Sequence, residues 1–247
     1  MLRAPAKGRH GEVLVEAKGL PHIHGGVRQH VRGKGRVVDV HRWRRRGKTP
    51  HCKAFGVEQA GGDVATIYMV RHGRAAAGFG SHRDPGLDDT GREQATRAAQ
   101  ELARMLREPV PVFTSPLART RETATPLVAM WNVKPTLEER IAEIPSPTTD
   151  LKERAAWLRG VMRGTWTDLE PSLLEWRQAM IAWALAQETN AVAFSHFIAI
   201  NVLVGAATNA DDLITFAPDN GSITRLDNSG GTLKLVELGR QAQTRVN

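Results

Sequence analysis

Two arginines and two histidines stand where this chain could grip an anion. The apolar run VATIYMVR (64–71) reads as a strand buried on both faces, and it ends in Arg71-His72-Gly73. A second run, VPVFT (110–114), leads through Thr114 and Ser115 into a helix that carries Arg119. A third, AVAFS (191–195), stops at His196. An apolar strand that terminates in Arg or His puts a group that is costly to bury at the edge of its sheet. Guanidinium forks match phosphoryl oxygens bidentately, and an imidazole beside them can act as a nucleophile. Arg71, His72, Arg119 and His196 together describe an anion site with a nucleophile in it, if the fold brings the three strand ends to one crevice.

The surrounding pattern predicts such a fold. Helical spacing of Ala95, Ala98, Ala99, Leu102 and Leu106 marks a helix over 89–107, with Thr90 as N-cap and Glu93 closing a capping box. Residues 115–131 read as a second helix with Ser115 as cap and Pro116 at its first position. VKPTL (133–137) is a short strand, 151–164 and 169–188 are helices, and 197–207 is a helix after AVAFS. SITRLDN and TLKLVEL flank Ser229-Gly230-Gly231 as a terminal hairpin. Strands alternating with helices predict an α/β fold, a three-layer α/β/α sandwich around a mainly parallel sheet. In such sheets ligands bind beyond the carboxyl ends of the strands.

The motifs also resemble a known family. TIYMVRHG (66–73) is similar to the signature of the histidine phosphatase superfamily, in its phosphoglycerate-mutase-like branch. DPGLDDTGREQA (84–95) resembles that branch's PLTxxGxxQA segment, and TSPLARTRETA (114–124) its SPLxRxxxTA segment. ERIAEI (139–144) is similar to ERLxEI, and FSHFIAIN (194–201) to SHGGxIR. The segments fall in the family's order across nearly all of 64–247.

The resemblance implies a phosphatase that hydrolyses phosphomonoesters through a phosphohistidine on His72. Arg71 and Arg119 would hold the phosphoryl oxygens, and His196 would complete the pocket. Glu139 would be the general acid and then the base, with Glu138 and Glu143 as the other acids of that segment. Gly73 would let the chain turn tightly where phosphate approaches. No metal or cofactor is implied, because the arginines and histidine supply the positive field that Mg²⁺ supplies elsewhere. Some positions depart from the pattern. Arg74 stands where the branch often has Glu or Gln, and Ala75-Ala76-Ala77-Gly78 offers no side-chain donors. Phe197 replaces a Gly, which would narrow or grease the mouth, and it disfavours the acid-phosphatase branch, which carries an Asp there. These departures put phosphoglycerate in doubt as the substrate and leave the phosphoryl-transfer residues intact; a mutase-type phosphotransferase is the alternative activity. Trp157, Trp166, Trp176 and Trp183 are expected to pack helices rather than wall the substrate, and Arg121 and Arg140 to sit on the surface.

Charge divides the chain in two. The 247 residues carry a formal net charge of +8 with a pI of about 10.2. Residues 1–63 hold 14 Lys+Arg against 5 Asp+Glu, and residues 64–247 hold 20 against 21. The basic part keeps no helical or strand periodicity for long and cannot bury enough apolar surface to offset its ordering entropy. Three readings of 1–63 stand: a disordered arm, a nucleic-acid-binding appendage built on Trp43 and Arg42, Arg44, Arg45 and Arg46, or sequence upstream of a true start near Val64 or Met69. The first and third are favoured. Only the second makes nucleic acid a partner, with the phosphatase-like part then silent. Six of the nine histidines also lie there, but His22 and His24 lack further ligands at a metal-site spacing. Residues 64–247 form the phosphatase-like domain. The lone Cys52 fits a reducing compartment, and with no secretory signal and no apolar run of about 20 residues a cytoplasmic protein is expected. The partner implied is a small phosphorylated molecule, and oligomeric state is left open.

Overall fold

The computed structural model describes residues 64–78 and 81–242. The basic segment, with its His, Arg and Trp candidates, lies outside them. A six-stranded sheet holds β1 (Thr66–Arg71), β2 (Val112–Thr114), β3 (Thr136–Leu137), β4 (Ala191–Ser195), β5 (Ile223–Asp227) and β6 (Lys234–Glu237), in the order β3-β2-β4-β1-β5-β6. The first four in that order are parallel, and β5 and β6 run antiparallel as the terminal hairpin. The helices are α1 (Asp89–Met105), α2 (Ala118–Trp131), α3 (Leu151–Val161), α4 (Pro171–Leu185) and α5 (Phe197–Thr208).

Strand alternation divides the core between the two faces. Tyr68 and Val70 of β1 point into a cluster with Ala98 and Leu102 of α1 and Leu127 of α2. Ile67 and Met69 point the other way, into a larger cluster with Met180 and Trp183 of α4 and the apolar body of α5. All five residues of β4 and the first nine of α5 are buried, so α5 is apolar all round, as a helix enclosed by protein must be. Trp166 and Trp183 lie in the larger cluster, with Trp157 and Trp176 packed against it.

Two predicted caps differ. Asp88, one residue before α1, accepts from the Gly91 N–H at 2.7 Å, while Thr90 sits inside the helix and accepts from Arg74. A carboxylate at the N-cap meets both an orphan N–H and the helix dipole. Helix α2 starts at Ala118 rather than near Ser115, and its N-cap Leu117 gives no side-chain bond. Asp84 instead accepts from the Ala118 N–H at 2.8 Å across the chain. Ser115 is thereby left for another partner.

Candidate active site

The register of the sheet assembles the site. Arg71 aligns with Ser195 and Thr114 with Phe194, so His72, Ser115 and His196 leave the sheet side by side. The His72 N–H donates to the Ser195 carbonyl at 3.0 Å, and that of Ser115 to Phe194 at 3.1 Å. Thr123 of α2 accepts from the Gly73 N–H at 3.0 Å and donates to the Arg119 carbonyl at 2.6 Å, tying the loop after β1 to the helix that carries Arg119. Gly73 is needed for close approach rather than for a turn. A Cβ there would run into the Gly91 carbonyl, and one on Gly91 would run into that of Arg74.

His72 is fixed through one ring nitrogen. Its Nδ1 lies 2.7 Å from the Gly73 carbonyl oxygen. A carbonyl can only accept, so Nδ1 carries the ring proton and Nε2 keeps its lone pair. Arg119 Nε points at that lone pair from 3.3 Å. Burial, reinforced by Arg119 and Arg71, holds the pKa of His72 well below the usual imidazole range. His196 is fully enclosed. Its Nε2 is 2.8 Å from Ser115 Oγ, and its Nδ1 has no hydrogen-bond partner among the described residues.

The two arginines are buried as well. Arg71 NH1 donates to the Pro218 carbonyl at 2.7 Å, and burial pushes its pKa down to about 10. Burial also lowers Arg119, whose NH1 stands 3.9 Å from Asp84. Two buried guanidinium groups beside a neutral imidazole form a focused positive field.

The three acids of the 138–143 segment have different fates. The segment is pinned by Glu138 N–H donating to Thr114 at 2.9 Å and by Ser195 Oγ donating to the Ile141 carbonyl at 2.7 Å. Glu138 forks onto Arg140, both contacts 2.7 Å, and that pairing lowers its pKa. Glu139 is exposed on the 3-10 turn and is not brought to the cluster. Glu143 is buried, with its carboxyl accepting from Ile144 N–H at 3.0 Å and Ile198 N–H at 3.4 Å. Burial raises its pKa, while the two amides, Arg119 and Arg71 partly oppose the rise.

A cavity of about 170 Å³ opens over Arg71, His72 and Arg119, while His196 and Glu143 are not among its lining residues. Arg71, His72 and Arg119 line it together with Arg154 of α3 and Arg83, and Ala75, Ala77 and Pro85 form an apolar side. The four tryptophans are not among its lining residues. Phe197 is not at the mouth either. Only 6% exposed, it packs inward against Arg71. Arg121 and Arg140 are exposed.

The family model of the histidine phosphatase superfamily, branch 1, matches residues 67–241. The chain belongs to this superfamily. Among solved structures, a mycobacterial glucosyl-3-phosphoglycerate phosphatase complexed with VO3 is 21% identical, covering 72% of this chain and all of its own, with a TM-score of 0.54. Phosphoserine phosphatase from Entamoeba histolytica, in complex with 3-phosphoglyceric acid, is 19% identical over 72% of this chain and 98% of its own, at a TM-score of 0.56. YhfR of Bacillus stearothermophilus is 18% identical over 70% and 95%, at 0.58. At these identities the likeness is one of fold. No curated protein matches the chain. Among the described residues no helix is long and apolar enough to cross a membrane.

In this histidine phosphatase superfamily chain, further residues support the cavity besides the Arg and His of the motifs. Asn220 lines the cavity and donates from Nδ2 to the His72 carbonyl at 2.8 Å. Arg154 reaches the same cavity from a helix whose sequence reads as an ordinary charged surface. Asn201 Oδ1 accepts from Thr215 and Phe216, both N–H bonds within 3.1 Å, which holds the loop that carries Pro218. Asn220 and Arg154 belong to segments that meet the site only through the tertiary fold, whereas Asn201 ends the FSHFIAIN segment itself.

Proposed function

We propose that this chain hydrolyses small phosphomonoesters through a phosphohistidine on His72, with Glu143 rather than Glu139 as the proton donor. The reading is carried by one observation: a buried His72 whose Nδ1 is held by the Gly73 carbonyl, leaving its unprotonated Nε2 facing the Arg119 guanidinium at a cavity that Arg71 also lines. Substrate phosphoryl oxygens lie against Arg71 and Arg119, which line the cavity, and His196, enclosed behind His72, completes the pocket from within. Nε2 attacks phosphorus, the phosphorus–oxygen bond to the leaving group breaks, and Glu143 protonates the departing oxygen. The two guanidinium groups stabilise the charge that spreads over the phosphoryl oxygens. In the second half the Glu143 carboxylate takes a proton from water, the water oxygen attacks phosphorus, and the phosphorus–nitrogen bond breaks to free phosphate and His72.

A raised carboxyl pKa suits an acid that must hold its proton near neutral pH, and among the three acids only Glu143 is buried. The apolar side of the cavity, Ala75, Ala77 and Pro85, leaves that part of a substrate without side-chain donors.

The test is a panel of phosphomonoesters turned over by the full chain, with rapid quenching to trap an acid-labile, base-stable phosphoenzyme. Phosphate release with label on His72 is the expected result. Transfer of label to a second acceptor in place of water would mean a mutase. No turnover and no phosphoenzyme across the panel would defeat the reading.

A further inference from the structure

Phe197 occupies a position where the matching family segment has glycine, and the chemistry above assigns it nothing. Its ring lies against the guanidinium of Arg71, with Cζ 5.0 Å from the ring centroid. The backbone that carries the ring is fixed. Phe197 opens α5, its carbonyl accepts from Asn201 Nδ2 at 2.9 Å, and the next N–H, of Ile198, reaches Glu143. Arg71 itself has one edge fixed, NH1 on the Pro218 carbonyl, while its buried Nε has no partner among the described residues.

A guanidinium with one anchored nitrogen can still rotate about that contact. A ring against its face removes the rotation and excludes water from that side, and the cation–quadrupole attraction favours the flat arrangement. The donors not used on Pro218 are then left for an anion. An orphaned buried Nε costs free energy in the empty protein, and a bound phosphoryl oxygen would relieve it.

We propose that Phe197 is a positioning residue for phosphoryl binding, its ring holding the Arg71 guanidinium in the plane from which its remaining donors meet the phosphoryl oxygens. This rests on the phosphatase reading above. Glycine at this position has no side chain with which to act in this way.

The experiment compares full-length wild type with Phe197→Leu, which keeps bulk and loses the ring, and Phe197→Tyr, which keeps the ring. Orthovanadate affinity and the kcat and KM for p-nitrophenyl phosphate are measured, with thermal midpoints alongside. Phe197→Leu is expected to weaken orthovanadate binding and lower kcat/KM by about three- to thirtyfold, the range of such contacts, with Phe197→Tyr within about threefold of wild type. In an Arg71→Gln background the Phe197→Leu change should cost no further orthovanadate affinity, because the ring acts through the guanidinium. Equal effects of Leu and Tyr on orthovanadate affinity, or a full additional loss in the Arg71→Gln background, would overturn the proposal. A wild type that hydrolyses p-nitrophenyl phosphate while Phe197→Leu matches it defeats the positioning role alone. A wild type that neither turns over ester nor binds orthovanadate defeats this proposal and the phosphatase reading together.

Discussion

The imidazole rings of His72 and His196 meet edge to face, their centroids 5.3 Å apart and their planes at 60°. Two imidazolium ions at that distance, beside Arg71 and Arg119, would repel one another strongly. Burial and the neighbouring charges hold both rings well below the usual imidazole pKa. His72 is therefore neutral at pH 7 without a base to deprotonate it, and His196 stands ready as a neutral donor or acceptor next to it.

Removing the two rings should have unequal consequences. His72→Gln takes away the nucleophile, and turnover of p-nitrophenyl phosphate should fall at least about a thousandfold, with no phosphoenzyme trapped. His196→Gln removes a ring packed edge to face on His72 rather than the proposed nucleophile itself, so kcat should fall by about 10²–10³, as for loss of one stabilising donor, and a phosphoenzyme should still form slowly. Steady-state rates with quench-trapping give both numbers. A phosphoenzyme in His72→Gln would place the nucleophile elsewhere.

The same rings make stability depend on pH. A histidine whose folded pKa lies below the unfolded value of about 6.5 binds its proton more readily in the unfolded chain. Its destabilising effect is absent above pH 6.5 and grows as pH falls, by up to about 1.4 kcal/mol per pH unit for each ring. Glu143 acts in the opposite sense. Its folded pKa is raised, so the native state binds that proton more readily, and the group favours folding as pH drops through its folded value. Urea unfolding from pH 8 to 5 in wild type and His196→Gln cancels the Glu143 contribution in the comparison. The variant should lose stability less steeply below pH 6.5. Identical slopes would show that His196 is not held neutral.

The choice of acid separates by leaving group. Glu143→Gln should lower kcat for an alkyl phosphate by about 10²–10⁴. For p-nitrophenyl phosphate, whose leaving group departs without a proton, the loss in the first half should be small, so phosphoenzyme should accumulate because water is no longer activated. Glu139→Gln, on an exposed turn, should stay within about twofold on both substrates. Loss of alkyl phosphate turnover in Glu139→Gln, with Glu143→Gln unaffected, would reverse the assignment.

Much of this architecture could be read from local pattern. The parallel strands announce themselves as apolar runs that stop at Arg71, Thr114 and Ser195, and strand register then carries the following residues together without further information. The acid is less legible in local pattern. Glu138, Glu139 and Glu143 lie within six residues of one another, and what distinguishes them is burial and a partner, Arg140 for one and the α5 amides for another. A cap is also decided by its partners: Ser115 has the right type to cap α2, yet His196 Nε2 stands 2.8 Å from its Oγ. Arg154 and Asn220 gave no signal, because their segments enter the site only through the folding of distant parts of the chain.

Gly91 and Gly160 should respond to alanine with opposite signs. A Cβ on Gly91 runs into the Arg74 carbonyl, a backbone atom that cannot swing aside, whereas a Cβ on Gly160 of α3 meets nothing within 4 Å. Gly91→Ala should therefore cost about 1–3 kcal/mol, as overpacking does. Because the strain falls on the loop that follows His72, it should depress kcat as well as stability. Gly160→Ala sits near the end of a helix with helical backbone, where alanine is preferred by up to about 1 kcal/mol. Its thermal midpoint should rise by about 2–4 °C for each kcal/mol gained in a domain of this size, with kcat unchanged. A Gly91→Ala protein as stable and active as wild type would show that the loop after β1 and the start of α1 are not in close backbone contact.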